Sequence, residues 1–230
     1  MRTHLIYVGR TRLKADTGYA VNDSLVFALG LSLLLVLGAI VGKCLARDYR
    51  SRGGASIQTV ALLWALTGLH FGLVVLAAVR STWRFRLPTP LAVGGGVMLA
   101  GAGTVMYLGA VYAFRSFKRL NFLQDTRLVT GGIYRWSRNP QLVGWTLVLV
   151  GLGLVRGSAM VLLLALVAWV SYGLHLPTEE EHLRRVFGEA YEAYRCRTPC
   201  YLGRPRGHRT EGSHGRAAEQ ENGADGRRHG

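Results

Sequence analysis

The sequence predicts an all-α, polytopic membrane protein with about five transmembrane helices, the last two forming a helical hairpin, followed by a C-terminal amphipathic helix. Three observations favour this fold class. Half of the 230 residues are hydrophobic, while only 18% are charged. The apolar residues gather into long runs, and Asp125 is the only acidic residue between Asp48 and Glu179. A chain whose centre holds almost no negative charge is typical of a protein embedded in a bilayer.

The apolar runs give the number of membrane crossings. A helix needs about 20 apolar residues to cross about 30 Å of hydrocarbon at 1.5 Å per residue. The stretch Gln141–Leu176 exceeds one crossing, and the sequence Arg156-Gly157-Ser158 within it predicts a tight turn between two helices, of which the first is short. The remaining spans are Ser24–Val41, Ile57–Val79 and Pro90–Phe114.

These spans divide the chain into four parts. Residues 1–23 form a polar N-terminal segment, and residues 24–114 hold three transmembrane helices, the first of which is expected to act as an uncleaved anchor. Residues 115–202 hold an inner loop, the helical hairpin and the C-terminal helix. Residues 203–230 carry no aliphatic or aromatic side chain other than alanine, so we expect this tail to be disordered.

Small residues and one histidine inside the spans suggest how the helices pack. Gly38 and Gly42 in the first span, and Gly68 and Gly72 in the second, are four residues apart, and this spacing predicts close contact between helices. His70 is predicted to be a neutral imidazole that bonds to a neighbouring helix, an interpretation we favour over a functional role.

The basic residues indicate the partner and the orientation. A net charge of +15 could indicate a nucleic-acid-binding protein, but the lysines and arginines flank apolar spans, where they hold helices against anionic lipid. We therefore expect a lipid bilayer, and no nucleic acid, as the partner. The positive-inside rule predicts a multi-pass protein of the cell membrane with a cytoplasmic C-terminus. The ten basic residues behind this orientation lie in the first and third loops and are Lys43, Arg47, Arg50, Arg52, Arg115, Lys118, Arg119, Arg127, Arg135 and Arg138.

The cysteines indicate neither a disulfide framework nor a metal site. Cys44 lies near the end of one span, and Cys196 and Cys200 lie four residues apart in a basic region. These spacings fit neither a zinc site nor paired disulfides. We expect ordinary thiols in a reducing compartment and no bound metal.

Two polar segments, residues 128–144 and 177–191, are expected to meet on the inner face because a helical hairpin returns to the side from which it started. In the first segment, Asn139 can cap the helix and Pro140 can occupy its first turn. The free amides at this helix start lie beside the positively charged guanidinium of Arg138, and together they favour binding of a carboxylate. The second offers Glu179 to Glu181, which suit an ammonium group or ribose hydroxyls. A zwitterionic amino acid moiety matches these two poles. Alternatively, Asn139-Pro140 only begins a helix, Arg138 is a positive-inside residue, and the glutamates begin an exposed helix.

The three glutamates are expected to differ in role. Pro177 is predicted to interrupt the fifth span, so a new helix would begin with Thr178 as its cap. Glu181 would then complete a capping box with Thr178. Successive helical residues point about 100° apart, so three adjacent side chains cannot all face one pocket. Glu179 and Glu180 are therefore predicted as the binding pair.

These segments resemble the isoprenylcysteine carboxyl methyltransferase and phospholipid N-methyltransferase superfamily of membrane enzymes. Its signature is Arg-His-Pro-x-Tyr-x-Gly, followed a hairpin later by Glu-Glu-x-x-Leu-x-x-x-Phe-Gly-x-x-Tyr. In this chain Asn139 stands in place of the histidine and Leu142 in place of the tyrosine. The matching residues are Arg138, Pro140, Gly144, Glu179, Glu180, Leu183, Phe187, Gly188 and Tyr191, within a similarity that covers roughly residues 104–202, and residues 130–135 resemble the usual lead-in.

The resemblance implies that both motifs line a pocket for S-adenosylmethionine and that the enzyme methylates a lipophilic acceptor. That acceptor would be an isoprenylcysteine-like carboxylate, a phospholipid amine or another lipid. The resemblance predicts no catalytic residue, and His175, which could serve as a base, is interpreted as a packing residue. The implied cofactor-binding residues are Tyr134, Arg138, Asn139, Pro140, Gly144, Glu179 and Glu180.

Two other functions remain open from the sequence. One is a membrane reductase of the sterol type, which uses NADPH and has a similar C-terminal part. The other is a non-enzymatic carrier subunit. The carrier is disfavoured because it predicts polar residues along several spans, whereas the first three spans have almost none.

Overall fold

The computed structural model describes residues 2–114 and 128–204, and for residues 2–22 and 114 it describes the backbone alone. Across these ranges the regular elements are helices, which are joined by turns and loops, and one isolated β-bridge pairs Arg84 with Ser158. The helices are α1 (Arg2–Ser51), α2 (Ile57–Arg80), a π-helical turn (Pro90–Gly95), α3 (Gly96–Phe114), a 3-10 turn (Gly132–Arg135), α4 (Pro140–Arg156), α5 (Ala159–Phe187) and α6 (Glu189–Arg197).

The lengths of these helices confirm the predicted fold class. Within the described ranges, four helical segments are long and apolar enough to cross a bilayer, and α4 is a shorter apolar helix. The polar N-terminal segment does not precede α1 as a separate element, because its backbone is helical and continuous with the first span. The four long segments are Asp23–Ser51, Ile57–Arg80, Pro90–Ala113 and Ala159–Phe187.

The predicted turn between α4 and α5 is present. Gly157 adopts a left-handed conformation with φ 58° and ψ 41°, which glycine reaches without a steric penalty. Ser158 then caps α5, because its Oγ accepts a hydrogen bond from the Val161 amide at 3.4 Å. The amide of Phe85 donates to the Gly157 carbonyl at 2.9 Å. This hydrogen bond connects the hairpin of α4 and α5 to the loop between α2 and α3.

Arg156 ties the end of α4 to the end of α2. Its guanidinium donates to the carbonyls of Ala78 and Val79, at 2.7 Å and 3.3 Å. The two helices therefore finish at a similar depth on this side of the protein. α4 has 17 residues and α2 has 24, a difference of about 10 Å at 1.5 Å per residue. On the other side, α4 consequently begins about 10 Å deeper in the protein than α2.

The main apolar core forms where α1, α2, α4 and α5 meet. Phe27, Leu149 and Leu164 are almost fully buried there. Many other large apolar side chains point outward, and Phe71 of α2 and Val105 of α3 are 55% and 74% exposed. Such an apolar exterior suits lipid rather than water.

The closest helix contact joins α3 and α4 through paired glycines. A Cβ on Gly103 would lie 2.5 Å from the Gly144 carbonyl oxygen, and a Cβ on Gly151 would meet the Gly96 carbonyl oxygen. Of the four glycines predicted to lie in close helix contacts, only one does, and the other three have open space beside them. Those three are Gly38, Gly68 and Gly72, whereas Gly42 lies against His175.

Gly103→Ala is expected to destabilise the protein because the new methyl group would meet backbone atoms of α4, which cannot move aside as a flexible side chain would. Overpacking of this kind costs about 1–3 kcal/mol. Gly101→Ala is the matched control, since no atom lies within 4 Å of its Cβ position. Thermal unfolding of both variants in detergent measures the difference. Equal unfolding temperatures would contradict the described α3–α4 contact.

The prediction that Pro177 ends the fifth span is wrong. α5 continues through Pro177 to Phe187, so Thr178 caps no helix and Glu181 completes no capping box. Proline removes one hydrogen bond from a helix but is tolerated where packing holds both halves in place. Here His182, five residues beyond the proline, stacks on Tyr49 of α1 with ring centroids 4.1 Å apart.

α1 and α5 pack side by side in the same direction. Gly42 contacts His175, and seven residues later on both helices Tyr49 contacts His182. Equal spacing along both chains in the same sense requires parallel helices. The carboxyl ends of α1 and α5 therefore lie on the same side of the protein, as an odd number of crossings between them requires.

Candidate active site

An ion pair between Arg138 and Glu180 joins the two polar segments. The side chains are 13% and 17% exposed, so the pair is largely shielded from water. Burial acts to lower the pKa of Arg138, but the adjacent Glu180 carboxylate outweighs it, and the pKa is raised overall. The predicted meeting of these two segments is confirmed, and the opposite charges face each other directly.

The three adjacent glutamates point in different directions. Glu180 pairs with Arg138, and Glu179 accepts a hydrogen bond from the Tyr172 hydroxyl at 3.3 Å. Glu181 instead forms an exposed pair with Arg185, one turn further along α5. Only Glu179 and Glu180 therefore face the interior. The predicted division of the glutamates agrees with this geometry, although the continuous helix, rather than a cap, produces it.

The first turn of α4 contributes backbone donors to the site. Pro140 occupies the first helical position, and Asn139 occupies the cap position, but its side chain makes no capping bond. The interpretation of Asn139 as a side-chain cap is therefore wrong. Its Nδ2 donates to the Cys200 carbonyl at 3.0 Å, because a segment from the C-terminus packs against this turn. The amides of Gln141 and Leu142 lie in the uncapped first turn, where helix amides lack intrahelical partners.

That segment, Thr198–Arg204, is here called the C-terminal strap. The Arg138 amide donates to the Pro199 carbonyl at 3.0 Å, and the Gly203 amide donates to the Trp136 carbonyl at 3.1 Å. The Tyr201 ring lies against Trp169 of α5, with centroids 4.6 Å apart. The strap thus holds both sides of the candidate site, the turn before α4 and the helix α5.

A buried cluster of tyrosines lies beside the site. Tyr134, Tyr191 and Tyr194 pack with Ala110 of α3. The Tyr194 hydroxyl donates to the Tyr134 carbonyl at 2.9 Å. Burial, with Glu180 next in effect, raises the pKa of Tyr191 to about 12, so it is a neutral hydroxyl at physiological pH. Leu183 and Phe187 of the second motif pack on this cluster.

The remaining predicted site residues have identifiable contacts. Tyr134 is buried within the tyrosine cluster. Gly144 lies in the α3–α4 contact, where a Cβ would be 2.7 Å from the Tyr107 amide nitrogen. This close approach accounts for glycine at position 144 without any ligand. His175 packs against Gly42, in agreement with its interpretation as a packing residue.

The sequence reasoning missed Tyr172, His182 and the strap. Tyr172 precedes Glu179 by seven residues and His182 follows it by three, spacings that place all three on one face of a helix. A helix that continues through Pro177 predicts that Tyr172 and His182 lie on the same face as Glu179. The contacts of the strap join residues that are far apart in the sequence, so no local sequence pattern predicts them.

Iodoacetamide is expected to alkylate Cys196 well before Cys200. Cys196 is exposed, whereas Cys200 is partly buried and its Sγ lies 3.6 Å from Asn139 Nδ2. Burial raises the pKa of Cys200, so less of the reactive thiolate exists at a given pH. Mass spectrometry of timed samples measures both rates. Asn139→Ala, which releases the strap, should accelerate Cys200 alone, and similar rates for both thiols in the unmodified protein would contradict the packed strap.

Comparison with known proteins identifies the region that contains this site. Residues 91–190 match the family described as "Phospholipid methyltransferase". The protein-S-isoprenylcysteine O-methyltransferase of Schizosaccharomyces pombe is 38% identical over 77 residues, which are 33% of this chain and 33% of that protein. Residues 91–190 are therefore similar in sequence to membrane methyltransferases.

Two further methyltransferases are also similar to this chain. A probable protein-S-isoprenylcysteine O-methyltransferase of Oryza sativa subsp. indica is 32% identical over 104 residues, 44% of this chain and 54% of that protein. The protein-S-isoprenylcysteine O-methyltransferase of Xenopus laevis is 33% identical over 76 residues, 33% of this chain and 26% of that protein. The chain thus spans between about a quarter and about half of these relatives. No solved structure matches the chain.

Proposed function

We propose that the protein is an S-adenosylmethionine-dependent methyltransferase that acts on a lipophilic acceptor within the membrane. The observation that carries the proposal is the shielded Arg138–Glu180 pair at the start of α4, with Glu179 beside it. A zwitterionic amino acid can replace this ion pair, because its carboxylate can take the place of Glu180 beside Arg138. Its ammonium group can likewise take the place of Arg138 beside Glu180. The names of the methyltransferase relatives support the same class of reaction.

The residues at this place fit the amino acid end of the cofactor. Arg138 Nε is buried and finds no hydrogen-bond partner among the described residues. Together with the uncapped amides at the start of α4, this donor would hold a carboxylate. Glu179 and Glu180 would hold the ammonium group or ribose hydroxyls. The other residues proposed for this pocket are Tyr134, Asn139, Pro140 and Gly144.

S-adenosylmethionine supplies an electrophilic methyl group on a positively charged sulfur. The protein would then contribute to catalysis by aligning the methyl donor with the acceptor and by excluding water from the site. The strap bonds to the turn that carries Arg138, and Tyr191 of the tyrosine cluster hydrogen-bonds with the Arg138 side chain; both contacts would help to keep water from the pair. A carboxylate or thiolate acceptor needs no base, and we assign none.

The acceptor is proposed to be an isoprenylcysteine-like carboxylate, a phospholipid amine or another lipid that approaches through the bilayer. The C-terminus is proposed to lie in the cytoplasm and the protein in the cell membrane, because the two loops richest in lysine and arginine are predicted on the same side as the C-terminus and such loops favour the cytoplasm. Protease accessibility of a C-terminal tag in sealed inside-out vesicles measures the orientation. Protection of the tag there would overturn it.

Isothermal titration of the purified protein with S-adenosylhomocysteine, and separately with NADPH, tests the proposed cofactor. We expect saturable binding of S-adenosylhomocysteine and no binding of NADPH. The reverse result would replace the proposal with a membrane reductase. Failure to bind either compound by protein of normal thermal stability would overturn the enzymatic proposal.

A further inference from the structure

The surface around the C-terminal strap combines exposed apolar side chains with positive charge. The Gly203 amide donates to the Trp136 carbonyl at 3.1 Å, which brings Leu202, the residue before Gly203, into the vicinity of Trp136. The side chains of Trp136 and Leu202 are 49% and 64% exposed. Large apolar side chains that are exposed close together indicate a surface that binds a partner.

The strap lies against the membrane-spanning part of α5 rather than beyond it. The Tyr201 ring packs on Trp169 with centroids 4.6 Å apart, and its hydroxyl oxygen lies 3.9 Å from the position of a Cβ on Gly173, one turn further along α5. The residues that follow these two on α5, Val170 and Leu174, are exposed and apolar. Lipid chains suit such side chains better than water does, so the strap beside them lies at the edge of the hydrocarbon layer.

The turn before α4, to which the strap bonds, lies at a similar depth. α4 begins about 10 Å deeper in the protein than α2, so the turn that precedes it is also below the level at which α2 begins. Aromatic side chains concentrate in membrane proteins where lipid headgroups meet acyl chains. Trp136 in this turn, Tyr201 in the strap and Trp169 in α5 fit that position. The partner of this surface is therefore the bilayer itself.

Arginines determine which lipid suits this surface. Residues 128–140 and 195–204 contain five arginines and no aspartate or glutamate. Two of the five are paired with glutamates, whereas the other three form no ion pair with any residue that the structure describes. Two of these three, Arg135 and Arg204, adjoin the residues that the hydrogen bond between turn and strap joins. Positive charge beside apolar side chains matches the phosphate of an anionic phospholipid above its acyl chains.

We propose that Arg135, Trp136, Leu202 and Arg204 form a surface, here called the strap patch, that binds anionic phospholipid in the leaflet where α4 begins. The two apolar side chains contact acyl chains, and the two arginines bind headgroup phosphates. This lipid is a bound partner on the exterior of the protein and not the methyl acceptor. It acts by holding the strap in place.

Lipid on the strap patch favours the packed strap, because a released strap would separate the two halves of the patch. A ligand that binds one of two states more tightly shifts the population toward that state. The packed strap holds the turn that carries Arg138 and partly covers Cys200. Anionic lipid should therefore protect the Cys200 thiol and raise cofactor affinity, and the second of these consequences rests on the proposed function.

Tryptophan fluorescence of the full-length protein in lipid nanodiscs tests whether the strap patch touches lipid. Phosphatidylcholine with brominated acyl chains quenches the tryptophans that it contacts. The contribution of Trp136 is the quenching that disappears in Trp136→Phe, which keeps an aromatic ring. We expect brominated lipid to quench Trp136 and acrylamide, dissolved in the water, to quench it poorly. Quenching of Trp136 by acrylamide and not by brominated lipid would overturn the proposal.

The preference for anionic lipid is tested by alkylation in nanodiscs of phosphatidylcholine with and without phosphatidylglycerol, an anionic lipid that has no amine to methylate. The iodoacetamide rate of Cys200 is divided by that of Cys196, which cancels effects common to both thiols, such as a lower pH at the anionic surface. We expect phosphatidylglycerol to lower this ratio at least threefold. Arg135→Gln combined with Arg204→Gln should abolish the effect. Arg86→Gln is the matched control, because this exposed arginine lies in the loop between α2 and α3, on the opposite side, and should preserve the effect.

S-adenosylhomocysteine affinity is measured in the same two lipid compositions and should rise at least threefold with phosphatidylglycerol. A thiol ratio that does not respond to phosphatidylglycerol, or that still responds in the double arginine variant, would overturn the strap patch. Absence of S-adenosylhomocysteine binding in both compositions would overturn the proposed function instead, and the quenching and alkylation results would still decide whether the strap patch binds lipid.

Discussion

Glu180→Gln is expected to lower affinity for S-adenosylhomocysteine tenfold or more, which corresponds to about 1.4 kcal/mol. The change removes the carboxylate that would hold the cofactor's ammonium group or ribose, and a lost charge-assisted hydrogen bond has about this magnitude. It also leaves the guanidinium of Arg138 shielded from water without its partner, so the unfolding temperature should fall. Isothermal titration and thermal unfolding measure the two effects separately.

Three further variants separate binding from folding. Glu181→Gln should keep affinity within about threefold, because this side chain forms an exposed pair with Arg185, and such pairs contribute little. Glu179→Gln should weaken binding tenfold or more, as Glu180→Gln does. The double variant Arg138→Gln with Glu180→Gln removes both charges, so it should regain thermal stability but not affinity. If Glu181→Gln were the most damaging of the single changes, the assignment of the inward-facing glutamates would be wrong.

Removal of the C-terminal strap is expected to have the second large effect. A chain that ends at Thr198 loses the hydrogen bonds that Pro199, Cys200 and Gly203 make with the turn before α4. Arg138 would then lose the support of its backbone, and affinity for S-adenosylhomocysteine should fall at least tenfold. A chain that ends at Arg204 keeps these bonds and should bind within twofold of the full-length protein. Titration of the two truncated proteins beside the full chain measures the difference.

The two truncations also refine where the expendable tail begins. The sequence assigns residues 203–230 to a tail, but Gly203 donates a hydrogen bond to Trp136 and so belongs to the folded part. Residues 205–230 lie outside the described residues, and their disorder stays a prediction. Leu202→Ala, a change at a side chain that is 64% exposed, controls for small alterations within the strap. Equal affinity in the chains ending at Thr198 and Arg204 would show that the strap does not position the site.

Much of the fold could be predicted because membrane helices are set by length and composition. The turn at Gly157 and the hairpin of α4 and α5 follow from a long apolar run interrupted by turn residues. The meeting of Arg138 with Glu180 then follows from topology alone. These inferences depend on one helix at a time or on counting crossings, and such properties are readable from a single chain.

The errors occurred where packing between distant residues overrides a local rule. Pro177 is a helix breaker by local propensity, yet the contact of Tyr49 with His182 holds the helix beyond it. Asn139 is a good capping residue, yet its amide bonds to Cys200, 61 residues away. Glycine spacing predicted close contacts at four positions of α1 and α2, of which only Gly42 has one, whereas the close backbone-to-backbone contacts lie between α3 and α4. Which partner a side chain meets depends on the assembled helices, and sequence spacing does not contain that information.

The short helix α4 bears on how the two proposed substrates, a water-soluble donor and a lipid acceptor, would meet. A nucleotide-like donor diffuses in three dimensions through water, whereas a lipid diffuses in two dimensions within its leaflet. For the proposed methyl transfer, a start of α4 about 10 Å deeper than that of α2 would let a water-soluble donor and a lipid acceptor approach Arg138 from opposite sides, without the lipid being lifted out of its leaflet. For a methylated lipid, release would then be a sideways step into the same leaflet, and local lipid concentration, rather than bulk solubility, would govern how often the site is filled.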